Sequence, residues 1–144
     1  MKLKQLSLFL ENKPGALTAP CRLLAKEGIN IVTFALADTQ QFGILRFVTK
    51  EWERAQRILE QNGFVAKVND LVAIEVPDRP GGLVEVLEVV EKAGVNVEYM
   101  YAFTIKQGGN GVLAFRFDDP DDAVRALQSS HIRMMSFEEL LPQI

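Results

Sequence analysis

Period-two alternation opens the chain. Leu6, Leu8 and Leu10 are separated by Ser7 and Phe9, the pattern of a half-buried strand. Val72, Ile74 and Val76 repeat it. After each run comes Pro-Gly and then a helical spacing of apolar residues: Leu17, Cys21 and Leu24 in one case, Leu83, Val86, Leu87 and Val90 in the other. Gly28 and Gly94 stand where these helices are expected to end, as glycine does just past a helix C-terminus. The segments 29–38 and 95–104 are rich in β-branched and aromatic residues and predict second strands. Gly43 to Thr49 and Gly111 to Phe117 predict third strands, and residues 51–62 and 120–129 predict helices, with Pro120 suited to a first helical turn. Residues 64–68 and 132–135 can each add a last short strand.

These runs are two copies of one unit. LSLFLENKPGAL (Leu6 to Leu17) lies over VAIEVPDRPGGL (Val72 to Leu83) without a gap, and LLAKEGINI (Leu23 to Ile31) lies over VVEKAGVNV (Val89 to Val97) at the same offset. With two extra residues in the second copy, Phe42 to Val48 lies over Asn110 to Arg116, and Glu53 to Leu59 over Asp121 to Leu127. The element order is βαββαβ, twice. The expected fold class is α+β: two ferredoxin-like units in tandem, residues 1–69 and 70–144, each an antiparallel sheet with its helices on one face. Pro20 resists the pattern, since it lies inside the first predicted helix where the second copy has Val86. A late helix start or a kink is expected there.

Composition narrows the function classes. In 144 residues, 48% are apolar and 24% charged, a globular mix that argues against disorder. Sixteen Lys and Arg against nineteen Asp and Glu leave −3, which gives no electrostatic support for a nucleic-acid partner. One Cys and one His supply neither a zinc site nor a disulfide within the chain. No run approaches about 18 uncharged apolar residues, and the start MKLKQLSLFLENK lacks the long apolar region and cleavage site of a signal peptide. A cytoplasmic protein with no membrane partner is expected. No nucleophile–base pair, cofactor fingerprint or metal-ligand set is evident, so no catalytic residue, cofactor or metal is assigned.

The chain resembles the ACT domain family, small regulatory modules of amino-acid metabolism. The resemblance rests on Asn12-Lys13-Pro14-Gly15-Ala16-Leu17 with Gly28-Ile29-Asn30-Ile31, and on Asp78-Arg79-Pro80-Gly81-Gly82-Leu83 with Gly94-Val95-Asn96-Val97. It spans both copies and implies a free-standing tandem ACT protein with no attached catalytic domain. A physical reason for the motif stands beside it. Pro-Gly lets backbone approach closely and opens a helix, whose first N–H groups can receive a carboxylate. An amide or carboxylate oxygen nearby can hold an ammonium. The candidate ligand-binding residues are therefore Asn12, Pro14, Gly15, Ala16, Leu17, Asn30 and Ile31 in one copy, and Asp78, Gly81, Gly82, Leu83, Asn96 and Val97 in the other. The Gly-x-Asn residues lie some distance from the turn of their own unit. The resemblance implies a ligand seated at the seam between units, Gly15 and Leu17 of one facing Asn96 of the other. The competing reading is that Asn12 and Asp78 only cap helices or form Asx turns. Asp78 in place of Asn12 puts equal ligand binding in doubt.

Other signals have plainer readings. Gly108-Gly109-Asn110-Gly111 reads as a tight hairpin, lacking phosphate-loop spacing. The run from Gly111 to Phe117 faintly echoes an RNA-recognition strand but lacks its basic and aromatic companions, so Phe115 and Phe117 are expected to pack against the other unit or a second chain. Tyr99, Met100, Tyr101 and Phe103 read as interface packing, with Tyr101 or Phe103 a candidate pocket wall. His131 is expected to be exposed and Cys21 to be core. The acidic run Asp118, Asp119, Asp121 and Asp122 is expected to cap the last helix.

The resulting expectation is a non-catalytic sensor of a free amino acid or similar small zwitterion, acting as a homodimer and read by a metabolic enzyme or regulator. The alternative is a protein-interaction module that docks such a partner without binding ligand. A small enzyme with an unrecognised site is the third reading.

Overall fold

The computed structural model describes residues 1–143 and divides into two compact units. One comprises Lys4–Asn69, and the other joins Met1–Leu3 to the chain from Asp70 onward. Lys2 belongs to the second unit, where its ammonium meets Asp121 at 2.9 Å and Asp70 at 3.9 Å. Hydrogen bonding to Asp121 raises its pKa.

The first unit contains β1 (Lys2–Glu11, from Lys4 on), α1 (Thr18–Lys26), β2 (Thr33–Asp38), β3 (Phe42–Val48), α2 (Trp52–Gln61) and the start of β4 (Ala66–Pro77). Its strand order is β2-β3-β1-β4. Antiparallel β1 and β3 place Leu8 opposite Leu45 and Leu6 opposite Phe47. Leu6, Leu8, Leu10, Leu45 and Phe47 form one core with Leu24 of α1 and with Ala55 and Leu59 of α2. Both helices therefore cover the same sheet face, the one on which the period-two leucines lie.

The second unit repeats this with the rest of β4, α3 (Gly82–Lys92), β5 (Val97–Gln107), β6 (Asn110–Phe117), α4 (Pro120–Gln128) and β7 (Met134–Met135), in strand order β5-β6-β4-β7. Val72, Ile74, Phe115 and Phe117 pack with Val86 and Val90 of α3 and with Ala123 and Leu127 of α4. Phe115 and Phe117 are fully buried in this core and stack with centroids 5.6 Å apart. They are not interface residues, contrary to expectation: they share the sheet face of Val72 and Ile74, which the helices of their own unit cover. A short helix, α5 (Phe137–Leu140), follows with a Ser136–Glu139 capping box, and its Glu139 pairs with Arg133 at 2.6 Å.

Helix ends obey local chemistry. Past α1, Gly28 (φ 71°) donates to Ala25 and Ile29 to Leu24; past α3, Gly94 (φ 72°) donates to Glu91 and Val95 to Val90. Each is a Schellman ending that needs a left-handed residue at its glycine. Pro20 is the third residue of α1. The regular helix starts two positions later than α3 does at the aligned site, with Pro20 in its first turn, one residue after the Ala19 N–H that donates to Gly15. The acidic run caps α4 as expected, Asp119 accepting from the Asp122 amide.

Candidate functional site

The two Pro-Gly turns have one backbone. In the first, Lys13 N–H donates to Glu11, Ala16 N–H to Lys13 and Ala19 N–H to Gly15, at 3.1–3.2 Å. In the second, Arg79 donates to Pro77, Gly82 to Arg79 and Glu85 to Gly81, at 3.0–3.1 Å. Gly15 and Gly81 have φ of 85° and 84°, a conformation that other residues adopt at a cost. No side chain caps α1 or α3. Asn12 and Asp78 are therefore not helix caps, and the first-turn N–H groups other than those of Ala19, Gly82 and Glu85, which donate to backbone carbonyls, are left without a side-chain partner.

The first turn lines a cavity within its own unit, and the second borders one only through Asp78. The first, of about 250 Å³, is bounded by Leu10, the turn from Asn12 to Gly15 and Leu17, and the end of β2 from Leu36 to Asp38. The second, of about 360 Å³, is bounded by Val76, Asp78 and the stretch of β5 from Ala102 to Lys106. A glycine of the third strand lies beneath each. Gly43 is opposite Leu10 on one side and Asp38 on the other. Gly111 is opposite Val76 and Lys106. At both places a row of three strands lacks its middle side chain, which opens space between the outer two.

The polar groups around the cavities differ. The Asn12 amide donates to the Gln40 carbonyl at 2.8 Å, tying the turn to the β2–β3 hairpin. Lys13 pairs with Glu11 at 2.9 Å. Among the described residues, the Asp38 side chain has neither a hydrogen-bond nor an ion-pair partner. In the second cavity Lys106 holds Asp78 at 2.6 Å, and this bonded ammonium keeps the Asp78 carboxyl below its ordinary pKa. Nearby, Arg79 binds Glu85 at 2.6 Å and lowers its pKa, with His131 at 3.9 Å from Glu85. His131 is exposed, and Cys21 is partly buried against the first core, which raises its thiol pKa.

The candidate residues thus separate. Asn12, Pro14, Gly15 and Leu17 line one cavity, with Ala16 in the same turn. Asp78 lines the other, with Gly81, Gly82 and Leu83 following it at the start of α3. Asn30, Ile31, Asn96 and Val97 lie past the C-terminal ends of α1 and α3, away from the turns. Asn96 and Val97 border a further cavity of about 320 Å³ with Gly94, and the Asn96 backbone N–H donates to the Asp118 carboxylate at 2.9 Å. Phe103 borders the Asp78 cavity, whereas Tyr101 does not. Asp38 and Lys106 were not singled out in the sequence. The signal for Asp38 was its place at the end of the second strand, though it reaches the turn only through two pairing steps. Lys106 falls two positions beyond the residue aligned with Asp38 and reaches the same row only through an irregularity between Ala102 and Lys106.

A family model described as an ACT domain pair matches residues 1–142. The solved structure of a protein from Bacteroides thetaiotaomicron is similar at 35% identity, over 97% of this chain and 96% of that one, with a TM-score of 0.89. The ligand-free regulatory subunit of aspartate kinase from Thermus thermophilus matches at 18% identity over 88% of this chain and 91% of the other, with a TM-score of 0.63. The corresponding subunit from Thermus flavus matches at 18% identity over 88% and 90%, with a TM-score of 0.61. At that identity the two kinase subunits speak to the fold. A comparison with curated proteins gave no match. Among the described residues no helix is long and apolar enough to cross a membrane.

Proposed function

Because this chain belongs to the family of ACT domain pairs, whose members are regulatory modules, we propose that it is a non-catalytic cytoplasmic sensor of a free amino acid or similar small zwitterion. The observation that carries this reading is the uncapped Pro-Gly turn from Asn12 to Leu17, which lines a cavity of amino-acid size with an amide and a carboxylate at its rim, and its repeat at Asp78, which borders a second. Turn and first-turn N–H groups receive the ligand carboxylate, and the rim oxygen receives its ammonium. Binding shifts how ACT units pack, and a metabolic enzyme or regulator reads the change.

The protein is proposed to act as a homodimer. Phe34 and Leu36 on the outer strand β2 are 64% and 56% exposed on the helix-bearing side of the sheet, and Phe9 and Phe42 are exposed on the opposite face, two apolar patches of which a second copy would cover at least one. Light scattering during size exclusion tests the assembly, and a 16.1 kDa particle at high concentration would remove it.

Thermal unfolding with each common amino acid tests the sensor reading. Ligand at 100 times its dissociation constant stabilises by about 2.7 kcal/mol. No shift with any of them at millimolar concentration removes it. The closed Asp78–Lys106 pair favours the second reading, an interaction module without ligand, and co-purification of a partner with a silent ligand screen would establish that instead.

A further inference from the structure

The strand row beneath each turn carries opposite charge in the two units. Across Gly43 from Leu10 stands Asp38, and across Gly111 from Val76 stands Lys106. The turn residue changes too, from the neutral Asn12 to the acidic Asp78. In the second cavity the two charges neutralise each other at 2.6 Å. In the first, Glu11 and Lys13 neutralise each other, Asn12 is engaged with Gln40, and the Asp38 carboxylate is left over.

We infer that Asp38 is the ammonium receptor of the first cavity, that Lys106 fills the same place in the second and shuts it, and that the chain therefore binds one neutral or basic amino acid. The inference rests on the sensor reading and adds the site, the stoichiometry and the charge class. An amino group entering the first cavity meets a carboxylate that need break no existing ion pair. An amino group entering the second meets an Asp78 carboxylate whose charge Lys106 already neutralises through a bond to one oxygen at 2.6 Å. An acidic ligand would bring a second carboxylate into the first cavity, where the only unpaired ionisable group bears the same sign.

Calorimetric titration of the full chain with each common L-amino acid tests this. One site per chain is expected, filled by a neutral or basic amino acid and not by L-aspartate or L-glutamate. Asp38→Asn, of the same size, should weaken binding about tenfold or more, since a charge-assisted bond is lost. Lys106→Ala should raise the count from one site to two. Circular dichroism and thermal unfolding of each variant identify any that fails to fold, and Asp38→Ser and Lys106→Met then take its place. Two sites in the unaltered chain, one site indifferent to Asp38→Asn, or preference for an acidic ligand would overturn the inference while leaving the sensor reading intact. Absence of heat and thermal shift with every probe, in every folded variant, would overturn both.

Discussion

At Gly15 and at Gly81 the chain makes the same turn, with φ of 85° and 84° and matching hydrogen bonds, yet the residues around it have diverged. Ala16 follows the first, whereas a Cβ at Gly82 would overlap the Pro77 carbonyl oxygen. The first helix begins late and takes a proline in its opening turn; the second begins at Gly82 and has Val86 in the corresponding place. Duplication kept the backbone path, which the fold requires of both units. The side chains facing the cavities were free to change, and they changed sign. One backbone can thus carry an open site in one half and a closed one in the other.

The largest effect should come from the helix starts. Val86 lies one turn inside α3, so Val86→Pro removes a helical bond and should cost about 3 kcal/mol or more in urea unfolding. Pro20→Val should change stability by under about 1 kcal/mol, because Pro20 lies in the opening turn, where proline is tolerated. Equal losses at the two places would show that the helices start alike. Next come the close approaches. Gly82→Ala should cost about 1–3 kcal/mol through the forced displacement of Pro77, and Ala16→Gly only about 0.4–1 kcal/mol through added chain entropy.

Gly15→Ala and Gly81→Ala meet no atom within 4 Å, so each should lose only the cost of left-handed backbone, about 1–2 kcal/mol. A marked inequality in urea midpoints would mean that the turns are not equivalent. The smallest effect concerns the ion pair. The Asp78 pKa is lowered, so its contribution to stability is present above the ordinary carboxylate range and disappears as pH falls through the lowered value. Lys106→Ala should move the Asp78 carboxyl titration upward, read by carbon NMR, with little change in stability because the pair is exposed.

Much of this was legible in the residues. Leucines at every second position identified β1 and its buried face, since a strand alternates sides regardless of what lies beyond it. The glycines at 28 and 94 marked helix ends because the left-handed backbone there is a local demand. The same reasoning placed Asn12, Gly15 and Leu17 together, being neighbours in one turn. It also set Asn30 and Asn96 apart from the turns of their own units, but it did not place Phe115 and Phe117 in the core of their own unit, because that outcome depends on which elements meet.

The order of strands and helices, the doubling of the unit and the two turns followed from the chain alone, because periodicity, Pro-Gly and helix-ending glycine act over a few residues. The roles of Asp38 and Lys106 did not. Asp38 meets the turn only through pairing of β1 with β3 and of β3 with β2, contacts between residues far apart in the chain. Lys106 reaches the equivalent row because two additional residues are absorbed by an irregularity in β5, shifting the register so that a lysine stands where the alignment would put a threonine. Charge at a site is a property of what faces it, and facing is settled by register.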